Sequence, residues 1–120
     1  MAALASDAEI EAWRTDGVVC LRGLFADWVE ALREGVAVNL AEPGPDGKLY
    51  RDEAGRLFLS DYCNWQRIPQ YRDFLLGSRC AELAAELMGS KTARLFHEHV
   101  LVKEAGAAIA TPWHHDQPYY

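Results

Sequence analysis

Two side chains near the end of the sequence, His114 and Asp116, are of types that bind metal ions. They lie two residues apart, and on an extended backbone alternate side chains share a face. Their α-carbons would then be roughly 6.6 Å apart, so the imidazole and the carboxylate can reach neighbouring positions on one metal ion. This donor pair favours Fe(II), Mn(II) or Zn(II), and a second histidine would complete the 2-His-1-carboxylate triad of non-haem iron oxygenases. The alternative for the tripeptide alone is two polar residues on a solvated strand edge.

A second histidine pair, His97 and His99, has the same spacing and competes for the metal. With Glu104 it matches His-x-His-x4-Glu, which is half of the cupin metal motif. The rest of that motif is absent, because Lys91 and Thr111 stand where cupins carry glycines. A cupin-like metal protein that uses His97 and His99 is therefore an alternative hypothesis. The usual role of a strand histidine is that of a hydrogen-bonded residue facing a barrel interior.

Two segments together carry a family resemblance. Leu-Phe-His-Glu-His-Val-Leu-Val-Lys-Glu-Ala-Gly (95–106) and Thr-Pro-Trp-His-His-Asp-Gln-Pro-Tyr-Tyr (111–120) resemble the phytanoyl-CoA dioxygenase family of Fe(II)/2-oxoglutarate oxygenases. The resemblance begins at Asp16 and is strongest over residues 91–120. It implies an α+β fold in which N-terminal helices pack on a double-stranded β-helix, a cupin-like jelly-roll.

The resemblance also implies a function and a ligand set. The expected activity is hydroxylation of a small organic substrate with Fe(II) as metal and with 2-oxoglutarate and O2 as partners. His114 and Asp116 would be metal ligands, and the retained Asp116 favours hydroxylation over halogenation. The family's distal histidine and its 2-oxoglutarate-binding arginine are expected beyond Tyr120. The chain is therefore expected to be the N-terminal portion of one domain (1–120), truncated before the barrel closes and inactive alone. A non-catalytic or incomplete fold module is the alternative.

Further residues near His114 and Asp116 are candidates for the walls of a binding pocket. His99 and Lys103 are assigned to the co-substrate. His99 is on the strand directly before the one that carries His114 and Asp116, and such a strand commonly lines the pocket. Lys103 can pair with a carboxylate of the co-substrate. His97, Trp113 and Tyr119 are assigned to the substrate pocket. The alternatives are solvated strand ends and core aromatic residues.

Composition narrows the class of protein. A net charge of −6 argues against nucleic acid or an anionic membrane as partner, since both require clustered Lys and Arg. The sequence shows no signal peptide and no membrane span, so cytoplasmic residence is expected. Cys20, Cys63 and Cys80 are odd in number and widely spaced, and we expect reduced, mostly buried thiols.

The region from about residue 6 to 90 is predicted to be mainly helical. A capping box formed by Ser6 and Glu9 predicts a helix over Asp7–Asp16. The apolar run Gly17–Leu21 indicates a short buried strand. A second helix is predicted from about Trp28 to Ala41.

That second helix is expected to start at a capping box of Asp27 and Glu30. Residues 49–51 and 56–59 are expected to form the arms of a hairpin. One further helix is predicted to begin at Pro69, and another to be capped by Ser78 and to end at Gly89.

The first core strands are expected over about residues 91–120. Alternation predicts a strand in which one face carries Leu95, His97, His99 and Leu101. The chain then turns at 103–106 and returns into the strand that carries His114 and Asp116.

Overall fold

Four α-helices and a three-stranded antiparallel sheet make up the regular structure of residues 2–118, the part of the chain that the computed structural model describes. The elements in chain order are α1 (Asp7–Asp16), a 3-10 turn (Ala26–Trp28), α2 (Val29–Ala41), β1 (Lys48–Arg51), β2 (Leu57–Tyr62), α3 (Pro69–Gly77), α4 (Cys80–Met88) and β3 (His99–Lys103). None of the helices in this part of the chain is long and apolar enough to cross a bilayer.

The predicted bounds of α1 are confirmed, and its capping box is formed. Glu9 N–H donates to Ser6 Oγ at 3.3 Å, and Ser6 N–H donates to Glu9 Oε2 at 2.8 Å. Gly17 ends the helix with a φ of 72°. The local sequence alone satisfies both ends of this helix, so the prediction did not depend on tertiary contacts.

The later helices also begin and end near the predicted residues. Pro69 opens α3, where its missing N–H costs nothing, and Gly89 ends α4 with a φ of 61°. Arg79, not Ser78, directly precedes α4, although the Ser78 hydroxyl accepts a hydrogen bond from Cys80 N–H at 3.2 Å.

Two predictions in the first third of the chain are wrong. Gly17–Leu21 is an irregular link in which Val18 is 67% exposed; no strand of the described sheet pairs with it. Asp27 lies inside the 3-10 turn, so it does not cap α2. Next to this start, the Phe25 and Trp28 rings meet Phe74 of α3 edge-on at 5.4 and 5.6 Å.

The expected hairpin is confirmed as β1 and β2, and β3 pairs with the other edge of β2. Tyr50 lies opposite Phe58 in the first pair, and Tyr62 lies opposite His99 in the second. The predicted strand over residues 95–102 is confirmed only from His99 onward. Within residues 2–118 the sheet is open and does not close into a double-stranded β-helix.

The strand predicted to carry the metal pair does not form in the described residues. Trp113 to His115 have no ladder partner, and the chain bends at Asp116. Pro112 and Pro118 bracket this stretch and lack the N–H groups that a ladder needs.

The cysteine prediction holds for oxidation state but not for burial. All three cysteines are free thiols, yet Cys20 and Cys63 are exposed and Cys80 is half-buried. Cys63 has a positive φ of 63° at the turn that follows β2, which places it at the surface, not in the core.

The two faces of β2 have different environments. Leu59 and Asp61 are fully buried on the side where α2 and α3 lie. Phe58, Ser60 and Tyr62 point to the opposite side, which no helix covers in the described part of the chain. The sheet therefore has one face in the core and one face available for a site.

The buried face is organised around the carboxylate of Asp61. Its Oδ2 accepts hydrogen bonds from Asn39 Nδ2 of α2 and from Gly44 N–H, both at 2.7 Å, and its Oδ1 accepts from Tyr62 N–H at 2.9 Å. Arg67 Nη2 lies 4.0 Å from Oδ2. Burial raises the pKa of Asp61, but the hydrogen bonds, led by that from Gly44, outweigh burial and hold the pKa below its usual range. The carboxylate is therefore ionised at neutral pH.

Asn64 and Tyr71 extend this polar cluster. Asn64 N–H donates to Glu98 Oε1 in the segment that leads into β3, and Tyr71 OH of α3 donates to Asn39 Oδ1 at 3.2 Å. Burial, together with the charges of Glu98 and Asp61, raises the pKa of Tyr71 to about 12. The phenol therefore stays protonated and remains a donor, and the cluster joins α2, β2, α3 and the approach to β3.

We predict that Asp61→Asn lowers the free energy of unfolding by about 2 to 4 kcal/mol, because an amide replaces a buried carboxylate that accepts charge-assisted hydrogen bonds. Urea denaturation measures the difference. Asp73→Asn is the matched control, since the Asp73 side chain is 62% exposed, and it should change stability by less than about 0.5 kcal/mol. Equal effects of the two substitutions would contradict the role of Asp61.

We also predict how the stability difference between wild type and Asp61→Asn depends on pH. The folded-state pKa of Asp61 lies below the unfolded value of about 4, so its contribution is fully present above pH 4 and is lost as the pH falls through the folded pKa. The stability gap between wild type and Asp61→Asn should therefore be constant from pH 5 to 7 and shrink below about pH 4.

Candidate functional site

A cavity of about 900 Å³ lies between the free face of the sheet and the chain that returns after β3. β1 and β2 supply Tyr50, Phe58, Ser60 and Tyr62 to its walls. The β3 side supplies His97, His99 and Leu101, and the returning chain supplies Ile109 to Pro112, His114 and Asp116. The sheet thus presents a mainly aromatic floor to the candidate metal pair.

His114 and Asp116 are brought together at this cavity. His114 Nε2 lies 3.4 Å from Asp116 Oδ1, and the two side chains are 47% and 75% exposed. Ligands bound at 2.1 Å are about 3.0 Å apart at right angles and about 3.4 Å apart in tetrahedral geometry. The two donor atoms are therefore spaced for adjacent positions on one metal ion, even though the segment is not a strand.

A hydrogen bond to the backbone orients the imidazole of His114. Its Nδ1 lies 2.8 Å from the carbonyl oxygen of Pro112. A carbonyl oxygen only accepts, so Nδ1 carries the hydrogen, and in the neutral ring the lone pair is on Nε2. Nε2 is the nitrogen that faces Asp116. Metal-binding histidines commonly use this arrangement, in which the second nitrogen donates to a carbonyl and fixes the tautomer.

His97 and His99 lie in the wall of the cavity. Ser60 Oγ lies 3.0 Å from His99 Nε2, and the Tyr62 ring contacts both imidazoles, with centroids 5.8 Å from His97 and 5.6 Å from His99. The Phe96 ring also packs against His97, at 4.7 Å. These histidines belong to an aromatic wall of the cavity.

The cupin-like alternative is not supported by these positions. Glu104 turns back to the sheet, where its Oε2 accepts from Leu57 N–H at 2.6 Å. Among residues 2–118, no three His, Cys, Asp or Glu side chains gather in a way that could hold a metal ion. His114 and Asp116 lie together as a candidate pair, without a third such side chain beside them in residues 2–118.

The remaining predicted residues lie at or beyond the rim. Lys103 Nζ donates to Thr111 Oγ1 at 2.9 Å and sits 4.8 Å from the centre of the Phe58 ring. Trp113 is fully exposed and does not line the large cavity. Tyr119 lies outside the described residues.

The sequence reasoning missed the contribution of the hairpin. Phe58, Ser60 and Tyr62 alternate along β2 and share the cavity face with Tyr50, whose ring stacks on Phe58 at 5.6 Å. The period-two spacing of these residues was a usable signal, because residues that alternate along a strand share one face.

A histidine and a carboxylate poised over an antiparallel sheet define a candidate mononuclear metal centre. A family model described as phytanoyl-CoA dioxygenase (PhyH) matches residues 13–120. The chain belongs to the phytanoyl-CoA dioxygenase family, which confirms the resemblance found in residues 95–120. Comparisons with curated proteins and with solved structures gave no match.

We predict that neutral His114 is in the Nδ1–H tautomer, because the Pro112 carbonyl lies 2.8 Å from Nδ1, whereas the Asp116 carboxylate, also an acceptor, lies 3.4 Å from Nε2. Two-bond ¹H–¹⁵N correlation spectra of metal-free protein at a pH where the ring is neutral distinguish the tautomers. His115 is the matched control, since it is exposed and should favour the Nε2–H form of a solvated imidazole. An Nε2–H form at His114 would contradict the proposed orientation.

Proposed function

We propose that the chain is part of an Fe(II)- and 2-oxoglutarate-dependent dioxygenase that hydroxylates a small organic substrate. The single observation that carries the proposal is the His114–Asp116 pair, whose donor atoms lie 3.4 Å apart with the ring nitrogen Nδ1 held by Pro112. An imidazole with a carboxylate suits Fe(II). Family membership supports an oxygenase of this type, and the free thiols are compatible with a cytoplasmic enzyme.

The metal would supply the chemistry that the side chains lack. When bound, Fe(II) would provide the place where O2 and 2-oxoglutarate are converted to succinate and CO2, with one oxygen atom of O2 going to succinate and the other to a C–H bond of the substrate. His114 and Asp116 would hold it from one side. We propose that residues 1–120 are the N-terminal portion of one domain, with the distal histidine and the carboxylate-binding arginine supplied from beyond Tyr120.

The cavity has two distinct ends along β3: His99 lies in its wall, whereas Lys103 lies at the rim. His99 and Lys103 are at opposite ends of β3, four residues apart, which corresponds to about 13 Å along a strand. A five-carbon co-substrate that chelates the metal is too short to use both ends. We therefore assign the co-substrate carboxylate to Lys103 alone, because its ammonium donates to Thr111 and retains two further N–H groups.

The other end of the cavity would then face the substrate. His97 and His99 stand beside Tyr62 and Ser60 there, so this end offers flat apolar surface together with hydrogen-bonding groups. Such surroundings orient a substrate and exclude water from the reacting bond.

We predict that His114→Ala and Asp116→Ala each weaken Co(II) binding at least about tenfold, because each removes one of the metal's protein ligands. Paramagnetic broadening of NMR signals during a Co(II) titration measures the affinity. Asp116→Ala should also abolish or redirect turnover in the full-length protein.

Two controls sharpen this experiment. His115→Ala removes a neighbouring exposed imidazole and should leave Co(II) binding unchanged. His97→Ala tests the cupin-like alternative, which would be favoured if that variant lost the metal while His114→Ala kept it. Weak binding that no variant alters would favour a non-catalytic module.

We predict that Lys103→Ala raises the KM for 2-oxoglutarate about 10- to 100-fold with a smaller effect on kcat, because it removes a charged partner of the bound co-substrate. Steady-state succinate formation by the full-length enzyme measures both constants. Lys91→Ala is the control, since Lys91 is exposed and lies in the irregular segment before β3, apart from the sheet and the returning chain. An unchanged KM in Lys103→Ala would refute the assignment.

A further inference from the structure

The segment that carries His114 and Asp116 does not pair with a strand through backbone hydrogen bonds beyond Glu104, so contacts of side chains determine its position. Residues 104–116 contain no strand or helix. Glu104, the first residue of the segment, is hydrogen-bonded to Leu57 of β2. Beyond Glu104, the segment is tied to the sheet and its hairpin turn by the bonds from Lys103 Nζ to Thr111 Oγ1 at 2.9 Å and from Ala108 N–H to Asp52 Oδ2 at 3.0 Å. The bond from Ala108 to Asp52 joins residues 56 positions apart, and it is made six residues before His114.

Asp52 is built to present an acceptor in one direction. It lies in the turn between β1 and β2, and its side chain is only 6% exposed. Within the turn, Oδ1 accepts from Ala54 N–H at 3.0 Å and Arg56 N–H at 2.9 Å, and Oδ2 accepts from Arg56 Nε at 2.9 Å. These local bonds fix the carboxylate, so that the remaining acceptor site on Oδ2 points at Ala108.

The turn does not need Ala108 for its own formation. Asp52 N–H donates to Arg56 O at 3.1 Å, and Gly55 N–H donates to Asp52 O at 2.9 Å, which closes the turn through the backbone. The bond to Ala108 is therefore additional. It also has the largest effect in lowering the pKa of Asp52, ahead of the bond from Arg56 N–H, which keeps the carboxylate ionised and a strong acceptor.

The close contact between Gly106 and the Arg56 side chain also places the segment after β3 against the turn between β1 and β2. Gly106 has a φ of 76°, and a Cβ atom there would lie 2.8 Å from Arg56 Nη1. The turn after β3 thus fits against the Arg56 side chain, which the Asp52 carboxylate itself holds. Two turns from distant parts of the sequence meet at one corner, with Asp52 between them.

We propose that Asp52 is a positioning residue for the His114–Asp116 pair: by holding Ala108 it directs the returning chain across the open face of the sheet and sets where the two ligands stand. Asp52 touches neither the substrate nor the metal in this scheme. The effect on metal binding rests on the proposed function, whereas the hydrogen bond between Asp52 and Ala108 can be tested without any metal.

Asp52→Asn is the sharpest test. An asparagine Oδ1 can keep the two local bonds from Ala54 and Arg56 N–H, as asparagine does in Asx turns, while its NH2 group replaces the acceptor that faces Ala108. Glu53→Gln is the matched control, because it removes the same charge from the next residue of the turn, which is exposed.

The first measurement is amide hydrogen exchange by NMR in the metal-free chain. In Asp52→Asn the Ala108 amide should exchange about tenfold faster or more, while the amides of Gly55 and Glu104 stay within about twofold of wild type. Glu53→Gln should change none of them. Unchanged exchange at Ala108, or an equal acceleration at Gly55, would overturn the proposal, since Asp52 would then serve only its own turn.

The second measurement is a Co(II) titration of wild type, Asp52→Asn and Glu53→Gln made in the full-length protein, which would supply the distal histidine. Asp52→Asn should bind Co(II) about three- to tenfold more weakly, and Glu53→Gln should bind as wild type does. If the Ala108 amide of Asp52→Asn exchanged faster while its Co(II) affinity stayed unchanged, the positioning role of Asp52 would be wrong. If wild type itself binds no Co(II), the proposed function fails, and the exchange rates of residues 108–114 in Asp52→Asn still decide whether Asp52 holds the segment.

Discussion

The ionised, fully buried carboxylate of Asp61 is the constraint on which the rest of the structure depends. A buried charge is tolerated only where donors surround it, and here the donors come from α2, from the loop before β1 and from β2 itself. Gly44 must bring its backbone N–H close, and a Cβ atom at that position would clash with the Asn64 amide. The carboxylate therefore fixes helix, loop and strand in one arrangement.

The same constraint determines which face of the sheet is open. Side chains alternate along a strand, so a slip of one residue in β2 would exchange its two faces. Such a slip would move Asp61 away from its donors and expose Leu59, and both changes are costly. With Asp61 in place, Phe58, Ser60 and Tyr62 must face the other way, where they form the floor of the cavity. The polar cluster on one side thus defines the site on the other.

The parts of the fold that sequence reasoning predicted are those whose causes are local. The capping box of Ser6 and Glu9, the proline that opens α3 and the glycine that ends α4 act within a few residues, and each element lies where these signals indicate. The predicted start of α2 was right to within one residue, but its predicted cap was wrong, because Asp27 lies in the 3-10 turn. The Asp61 cluster was missed because its partners in α2 and in the loop before β1 are 17 to 22 residues away. A buried Asn within α2 and an Asp within β2 contradict local preference, and such conflicts were the available signal.

In the candidate site, too, the feature with a local cause could be predicted from the sequence, and the features set by distant contacts could not. The closeness of His114 and Asp116 follows from their i, i+2 spacing and survives although the segment bends and pairs with no described strand. Spacing determines that two side chains can meet, but it does not determine where in the molecule they meet. That depends on the Pro112 carbonyl, which orients the ring, and on Asp52, which holds the chain six residues earlier. Neither residue belongs to the candidate ligand pair, so a search for ligand motifs passes over both. In a site carried by an irregular segment, the residues that hold the segment matter as much as the residues that bind.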